Sequence, residues 1–455
     1  MVNLKKPSPS KGLELQLKAT LIDVFTQKKL ANPRLVLALS GGLDSTVLLH
    51  LLAQCRKTCS FQLSAQHVHH GLSPNADDWA DFCQQVCLKL NIPFALYKVN
   101  INKSSGLGTE ATAREARYKA LLSVDADFIC LAHHQDDQAE TLLLQLARGA
   151  GVKGLTGMAA VNGKLLRPLL EVPRSHLEAY AKQHQLIWIE DESNADTRFN
   201  RNFIRHKVLP ILEESYPSIR QTLSRSAKNM ADANDLFDEL ALIDALQAGF
   251  DDKTNTTIGL STLKNLCEPR VNNCLRWWLA QNSLQMPSQQ QLQQITQQLI
   301  HAKQDAAIKL KVSETYTLRR YQNHAYLVQE LPPNAPINWL WQGEDVIDLP
   351  NKTQLIFSKK MGEGISLRKI ENATLRIKFR EGNERFKPQL GRPHRSLKVM
   401  LQNGDMPPWQ RAQLPLIFMD DTLVVIPNIG VDANFQASCD EMGLVVNWID
   451  YEELS

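Results

Sequence analysis

The sequence predicts an α/β protein: an N-terminal doubly wound parallel sheet, then a helical domain, then a small mixed α+β C-terminal domain. Three observations predict it. Short apolar runs alternate with helical patterns from residue 35 to about residue 148. After about residue 215 that alternation gives way to long stretches of helical spacing. Beyond residues 331–336 (Leu-Pro-Pro-Asn-Ala-Pro), the clearest linker, short alternating runs return with a block of basic residues. The 455 residues allow about three domains at about 150 residues each. The expected boundaries are 1–216, 217–335 and 336–455.

The elements follow in order. Residues 35–39 (Leu-Val-Leu-Ala-Leu) are a short apolar run with the look of a buried strand, and 46–55 continue as a helix. Residues 61–68 alternate, with Leu63, Ala65 and His67 on one face. Residues 77–90 read as a helix, 94–99 as a strand, 110–124 as a helix, 128–132 as an apolar strand and 138–148 as a Leu-rich helix. A strand–helix succession of this kind favours a mostly parallel sheet with helices on both faces. Ligands of such sheets sit at the carboxyl ends of the strands, so the residues just after each strand carry the most interest. Further along, Leu223, Met230, Leu236, Leu240 and Ile243 keep helical spacing through 218–247. The Gln-rich stretch 289–298 holds Leu292 and Ile295 in register with Leu299, the pattern of a solvated amphipathic helix. Residues 375–379 and 423–427 alternate as strands of the C-terminal domain.

Composition excludes some classes. At 43% hydrophobic, 22% charged and net +3, the chain is neither disordered throughout nor uniformly basic. The total conceals an asymmetry: residues 351–411 hold fourteen Lys or Arg against five Asp or Glu, a local +9 that leaves −6 for the rest. A basic end suits an acidic polymer. No apolar run reaches the eighteen or so residues of a membrane span, and the polar start has no apolar signal core. Eight cysteines are too few for a disulfide framework. A cytoplasmic protein with reduced thiols and no membrane partner is expected.

The strongest motif follows the first strand: Ser40, Gly41, Gly42, Leu43, Asp44 and Ser45, leading into a helix. Two glycines at a strand-to-helix turn expose backbone N–H groups, the serines add donors, and the helix end favours an anion. A pyrophosphate fits such a loop. Two other phosphate motifs fail: Gly163-Lys164 is followed by Leu165, not Ser or Thr, and Gly149, Gly151 and Gly154 follow a helix, not a strand. Asp44, one turn on, would repel phosphate unless Mg²⁺ or a proton transfer needs it; otherwise it caps the helix.

Further candidates sit at the same sheet edge. His67, His69 and His70 end the second strand, as ligand contacts or as buried, satisfied histidines. His133, His134, Asp136 and Asp137 follow the fourth strand, with Glu140 close behind. Asp136 and Glu140 are four apart and Asp137 and Glu140 three apart, so on a helix they share a face. Such carboxylates could bind an amine, take its proton or help hold Mg²⁺; capping is the other reading for Asp136 and Asp137. The spacing matches no standard zinc site, so no resident metal is expected. Arg114 or Arg117, in Glu-Ala-Thr-Ala-Arg-Glu-Ala-Arg-Tyr (110–118), could stabilise phosphoryl charge or simply pair with neighbouring acids. In the basic block, Arg376, Lys378 and Arg380 alternate onto one strand face, and Arg395 lies nearby, with Phe379, Phe386 and Trp409 interleaved. Together they suit a phosphate backbone.

The hexamer 40–45 resembles the signature of the PP-loop ATP pyrophosphatases. Residues 67–72 (His-Val-His-His-Gly-Leu), 110–118, 131–141 (Leu-Ala-His-His-Gln-Asp-Asp-Gln-Ala-Glu-Thr), 148–158, 167–170, 191–194 and 201–206 (Arg-Asn-Phe-Ile-Arg-His) are similar, in order and spacing, to tRNA(Ile)-lysidine synthases. The resemblance implies that ATP and Mg²⁺ bind at Ser40–Ser45, with His67 and His133 as further nucleotide contacts. It implies activation of the wobble cytidine of tRNA(Ile) with a CAU anticodon as its adenylate, and attack on C2 by free L-lysine. AMP and pyrophosphate are released, and the lysidine formed switches the tRNA from Met to Ile identity. Asp44, Asp137, Glu140 and Arg114 would act in catalysis. Asp136, Asp137, Glu140, Arg117, Arg201, Arg205 and the basic block would hold lysine and tRNA. A homodimer is left open. The competing classes are a PP-loop tRNA thiolase or amidotransferase-type ligase, and an RNA-binding protein with a relic nucleotide loop. The absence of any Cys-x-x-Cys counts against the thiolase, and an intact loop with its aspartate counts against the relic.

Overall fold

The computed structural model describes residues 9–71, 73–99, 109–251, 255–303, 306, 308–330, 337–349, 353–371, 373–391, 393–402, 404 and 406–450. The expected linker 331–336, Leu72 and Arg392 lie outside the described residues. The chain divides into two compact units, residues 1–236 and 237–455.

The first unit opens with α1 (Pro9–Gln27), β1 (Arg34–Ala38), α2 (Leu43–Cys55), β2 (Gln62–His69), α3 (Ala76–Lys89) and β3 (Phe94–Lys98). It continues with α4 (Thr109–Leu122), β4 (Phe128–Cys130), α5 (Gln135–Ala147), α6 (Val152–Leu155), β5 (Val161–Asn162), β6 (Leu165–Leu166) and α7 (Arg174–Gln183). The sheet runs β3-β2-β1-β4-β6-β5, parallel except at its β5 edge. Strand alternation builds a core on each face. Leu35, Leu37, Leu63, Ala65, Phe128 and Cys130 face α1, α2, α3 and α7; Val68, Ile129 and Leu131 face the other way, onto Ala120 and Leu121 of α4. The doubly wound expectation is met. Strand order reverses direction at β1, whose neighbours are β2 on one side and β4 on the other. The crevice beyond their carboxyl ends is the topological switch point, where ligands of such sheets bind.

Past α7 the chain forms a short 3₁₀ turn (Glu192–Ala195), α8 (Asn200–Phe203), a π-helical turn (Ile204–Val208), α9 (Leu209–Ser215) and α10 (Ile219–Gln247). The expected helix 218–247 is present, but Leu236 and Ile243 are exposed. Small residues bury its later face instead: Ala241, Ala245 and Asp244, the last paired with Arg270.

In the second unit, helices Glu268–Gln281 and Gln289–Thr296 pack with Trp278, Leu292, Ile295 and Leu299 inside. Ser288 caps the Gln-rich helix and Gln291 returns the bond, a reciprocal capping box. These helices share their core with a four-stranded antiparallel sheet, Thr257–Gly259, His324–Gln329, Tyr316–Tyr321 and Lys309–Lys311, which the helical reading did not include. Beyond it lie a five-stranded sheet containing Leu375–Phe379 and Thr422–Ile426, and a four-stranded sheet centred on Thr353–Met361 and Met442–Asp450. Among the described residues no helix is long and apolar enough to cross a membrane.

Candidate active site

The loop after β1 is held from below. His67 is buried with its Nδ1 2.8 Å from the Leu39 carbonyl, so its ring ties the end of β2 to the stem of the loop. Of the readings open for His67, the structure places it as a satisfied, buried ring whose other near neighbour is the Cys83 thiol. Gly41 has φ +86°, and a Cβ there would lie 2.7 Å from Ile189 Cδ1 and 3.1 Å from Cys83 Sγ. No other residue fits without strain. The Gly41 carbonyl accepts the Ile189 N–H at 2.9 Å, which anchors the loop on the segment after α7. The Ser40 and Ser45 hydroxyls meet at 3.0 Å, and Ser45 donates to the Gly42 carbonyl. Helix α2 begins at Leu43. Its first N–H groups therefore lack intrahelical acceptors, which makes the loop mouth an anion-binding end.

Asp44 stands in the first turn of α2, at the mouth of that loop, with its Oδ1 covered and without a hydrogen bond. Its Oδ2 is 3.5 Å from His134 Nε2, and its Oδ1 is 3.9 Å from Arg174 Nε. The expected helix of 138–148 starts three residues earlier, at Gln135, so His134 is its N-cap and Asp136 and Asp137 lie in its first turn. Asp137 Oδ2 accepts the His134 N–H at 2.9 Å, the capping role left open for it. Asp136 accepts the Arg174 N–H at the start of α7 and Nη1 of Arg220, which is also bound to Glu213.

His134 is 1% exposed and sits among Asp44, Asp136 and Asp137. Burial opposes its charge, but the three carboxylates outweigh burial and raise its pKa. The sequence reading named His134 in passing and gave it no role. Its signal was the doubled histidine before two aspartates. Arg167 opens the 167–170 segment of the resemblance but had no role attached to it, and Arg174 and Arg220 carry no local mark in the sequence.

The carboxylates expected to bind an amine have arginine partners within the fold. Glu140 is wholly buried; its Oε1 accepts from Arg205 Nε at 2.6 Å and its Oε2 from Arg201 Nε at 2.7 Å and Arg205 Nη2 at 3.0 Å. Asp137 Oδ1 accepts from Arg201 Nη2 at 2.7 Å and Arg205 Nη2 at 3.2 Å. Two carboxylates neutralise two guanidiniums, leaving Glu140 no surface and Asp137 little room for an incoming amine. Burial resists the charge on Asp137, but His134 and Arg201 overcome it and hold its pKa low. Arg201 and Arg205, expected along a tRNA path, each commit Nε and Nη2 to this network and keep only partial exposure.

His133 is half-buried beside it. Its Nδ1 accepts from Arg167 Nε at 3.2 Å, while Arg167 also holds the Ala159 carbonyl. Burial pushes its pKa down to about 4, despite Asp137, so at neutral pH it is an uncharged ring whose Nε2 carries the proton. His70 is likewise held down to about 4 by burial, with Arg117 adding to the effect. The guanidiniums of Arg114 and Arg117 lie over the Tyr118 ring at 5.4 and 5.8 Å. Arg117 therefore borders the histidine edge of the site; it and Arg114 are both exposed residues against Tyr118.

In the second unit Arg376 and Arg395 are exposed, and Lys378 lies 5.7 Å over the Phe418 ring. Arg380 departs from the expected shared face. It follows the end of its strand and turns to Glu384, 3.4 Å away, with 14% of its side chain exposed.

Among the described residues, no group of three or more His, Cys, Asp or Glu could hold a metal ion by itself. A cation at this site would have to share its coordination with a nucleotide's phosphates. The unpartnered Asp44 oxygen at the loop mouth fits such sharing.

A family model described as a PP-loop domain matches residues 13–212. Models described as a TilS substrate binding domain and a TilS substrate C-terminal domain match 260–326 and 375–448. The chain is 42% identical over 429 residues to a tRNA(Ile)-lysidine synthase of Nitrosomonas europaea, covering 91% of this chain and 92% of the relative. It is 36% identical over 436 residues to one of Coxiella burnetii, covering 92% and 96%. Among solved structures, the U34-tRNA thiolase NcsA from Methanococcus maripaludis is similar with a TM-score of 0.42 at 20% identity, over 49% of this chain and 79% of that one.

Proposed function

The chain belongs to the tRNA(Ile)-lysidine synthase family, and from that premise we propose that it ligates free lysine to C2 of the wobble cytidine of tRNA(Ile) carrying a CAU anticodon. The observation that carries this reading is the loop of Ser40–Ser45 at the switch point of the sheet, with Asp44 in the first turn of the helix it opens and one Asp44 oxygen without a hydrogen bond. ATP is the activating substrate. Its pyrophosphate lies on the backbone N–H groups at the start of α2 and the hydroxyls of Ser40 and Ser45. Asp44 would hold Mg²⁺, which would supply neutralising charge for the departing pyrophosphate.

The cytidine O2 attacks the α-phosphorus, pyrophosphate leaves, and the base carries AMP on that oxygen. The ε-amine of lysine, uncharged when it attacks, adds at C2 and expels AMP. Activation converts a poor leaving oxygen into a good one. His133, uncharged and carrying its proton on Nε2, is suited to donate to a phosphate or ribose oxygen beside the loop. His134 keeps Asp44 and Asp137 in fixed orientation by facing both. Asp137 and Glu140 serve by holding Arg201 and Arg205, whose exposed edges face substrate. Arg117, at the histidine edge, is the arginine we assign to phosphoryl charge, in preference to Arg114. Arg376, Lys378 and Arg395 grip tRNA phosphates, with Arg380 confined to its turn. The domain limits 1–216, 217–335 and 336–455 and a cytoplasmic location belong to the same proposal.

The test is nucleotide turnover. With unmodified tRNA(Ile), lysine and ATP, the protein should release pyrophosphate and AMP in equal amounts, and Asp44→Ala should abolish both. Undiminished AMP formation by Asp44→Ala would refute the assignment of the loop.

A further inference from the structure

We propose that Phe199 and Phe203 form a stacking platform for unpaired nucleotides of the anticodon loop that flank the reacting base. The inference rests on the function just proposed and adds a binding surface to it.

The segment 199–211 uses three of its faces to hold itself in place. Arg201 and Arg205 fasten one face to Asp137 and Glu140. Ile204 and Leu209 pack a second against Ala139 of α5. Asn202 Nδ2 donates to the Ser193 and Asp196 carbonyls, and His206 Nε2 meets the Asn194 carbonyl at 2.9 Å, which fixes the third. What remains recurs at every fourth residue: Phe199, Phe203, Lys207 and Ile211, all exposed. Phe199 is 39% exposed, Phe203 48% and Ile211 66%.

Two aromatic rings left in water on a segment bolted down on its other sides form a rigid patch, and such patches mark binding surfaces. The choice of occupant follows from chemistry. Lys207 puts an exposed cation in the stripe, while the nearby Arg198, Arg201 and Arg205 are taken up by acids, so it is Lys207 that favours a partner carrying negative charge. Every base has a π-face, so aromatic rings stack on single-stranded RNA without demanding its sequence. The reacting cytidine must be displaced from its neighbours to enter the crevice, and that leaves adjacent bases in need of stacking partners. The same segment carries Arg201 and Arg205 of the carboxylate network, so the platform and the chemistry share one support.

The experiment compares Phe203→Ala, Phe203→Leu, Phe203→Trp and Phe199→Ala in the full-length protein. Substrates are tRNA(Ile) and the same tRNA with 2-aminopurine beside the wobble base. Loss of one stacked base should raise the KM for tRNA about 5- to 150-fold. We expect that rise in Phe203→Ala and Phe203→Leu, little change in kcat or in the KM for ATP, and recovery in Phe203→Trp. 2-Aminopurine fluorescence should be quenched on binding to the wild type and not to Phe203→Leu. A leucine variant equal to wild type, or unchanged KM in both alanine variants, would overturn the platform. So would a drop in oligomeric mass on Phe203→Ala with tRNA kinetics intact, since the stripe would then join copies of the chain. If the wild type transfers no lysine to tRNA, the proposed function fails, while the fluorescence comparison still decides the platform.

Discussion

Glu140→Gln is the sharpest perturbation of the ion network, because it keeps shape and removes one charge. Glu140 has no exposed surface, and both of its oxygens take guanidinium N–H groups. The change leaves Arg201 and Arg205, with 27% and 21% of their side chains exposed, sharing Asp137 alone. Removing one partner of a buried ion pair costs about 3–5 kcal/mol. Since Asp137 remains and the arginines are partly hydrated, the lower end applies, about 3 kcal/mol. For a unit of this size that lowers the melting temperature by roughly 6–12 °C. Scanning calorimetry on the full chain reads it from the transition of the parallel-sheet unit. Adding Arg205→Met should cost less than the sum of the single changes, because the arginine lost is the one left short of a counter-ion. A Glu140→Gln protein that melts within about 1 °C of wild type would refute the view that this carboxylate is a structural counter-charge.

Three further outcomes are expected. Gly41→Ala forces a side chain into the left-handed region against Ile189, and the strain of about 1–2 kcal/mol should raise the KM for ATP about 5- to 30-fold, measured by pyrophosphate release. His133 and His70 have folded pKa values of about 4 against an ordinary 6.5, so the stability tied to their neutral forms is present above about pH 6.5 and lost as pH falls toward 4. His133→Gln should flatten part of that acid-side fall in melting temperature, whereas the contribution of His134, whose pKa is raised, has the opposite sign and fades as pH rises. Arg376→Ala or Arg395→Ala should each reduce the salt slope of tRNA binding by about 1, and Arg380→Ala, already committed to Glu384, should leave that slope nearly unchanged.

The N-terminal fold was legible because the central strands β1, β2 and β4 are buried and each helix declares itself by its own period. Leu35, Leu37, Phe128 and Cys130 against Val68, Ile129 and Leu131 are the two faces that the alternation implied. The four-stranded sheet at residues 257–329 was not foreseen, because its strands are short and polar on one side, and antiparallel pairing depends on partners distant in sequence. The glycine loop was legible as a local chemical pattern. The roles of Glu140, Arg201 and Arg205 were not, since charge alone does not say whether a side chain meets substrate or another side chain. Here the acids and arginines lie about sixty residues apart in sequence and neutralise one another within the fold. Arg380 failed for a simpler reason: the alternation of Arg376 and Lys378 ends with the strand at Phe379.

The most direct measurement is to incubate the protein with unmodified tRNA(Ile), radiolabelled lysine and ATP, and to follow label in the tRNA and its position after digestion to nucleosides. We predict label in the wobble nucleoside, only when ATP is present, and one pyrophosphate released per lysine attached. A tRNA that stays unlabelled while pyrophosphate is released with glutamine or a sulfur donor in place of lysine would contradict the lysine-ligating function.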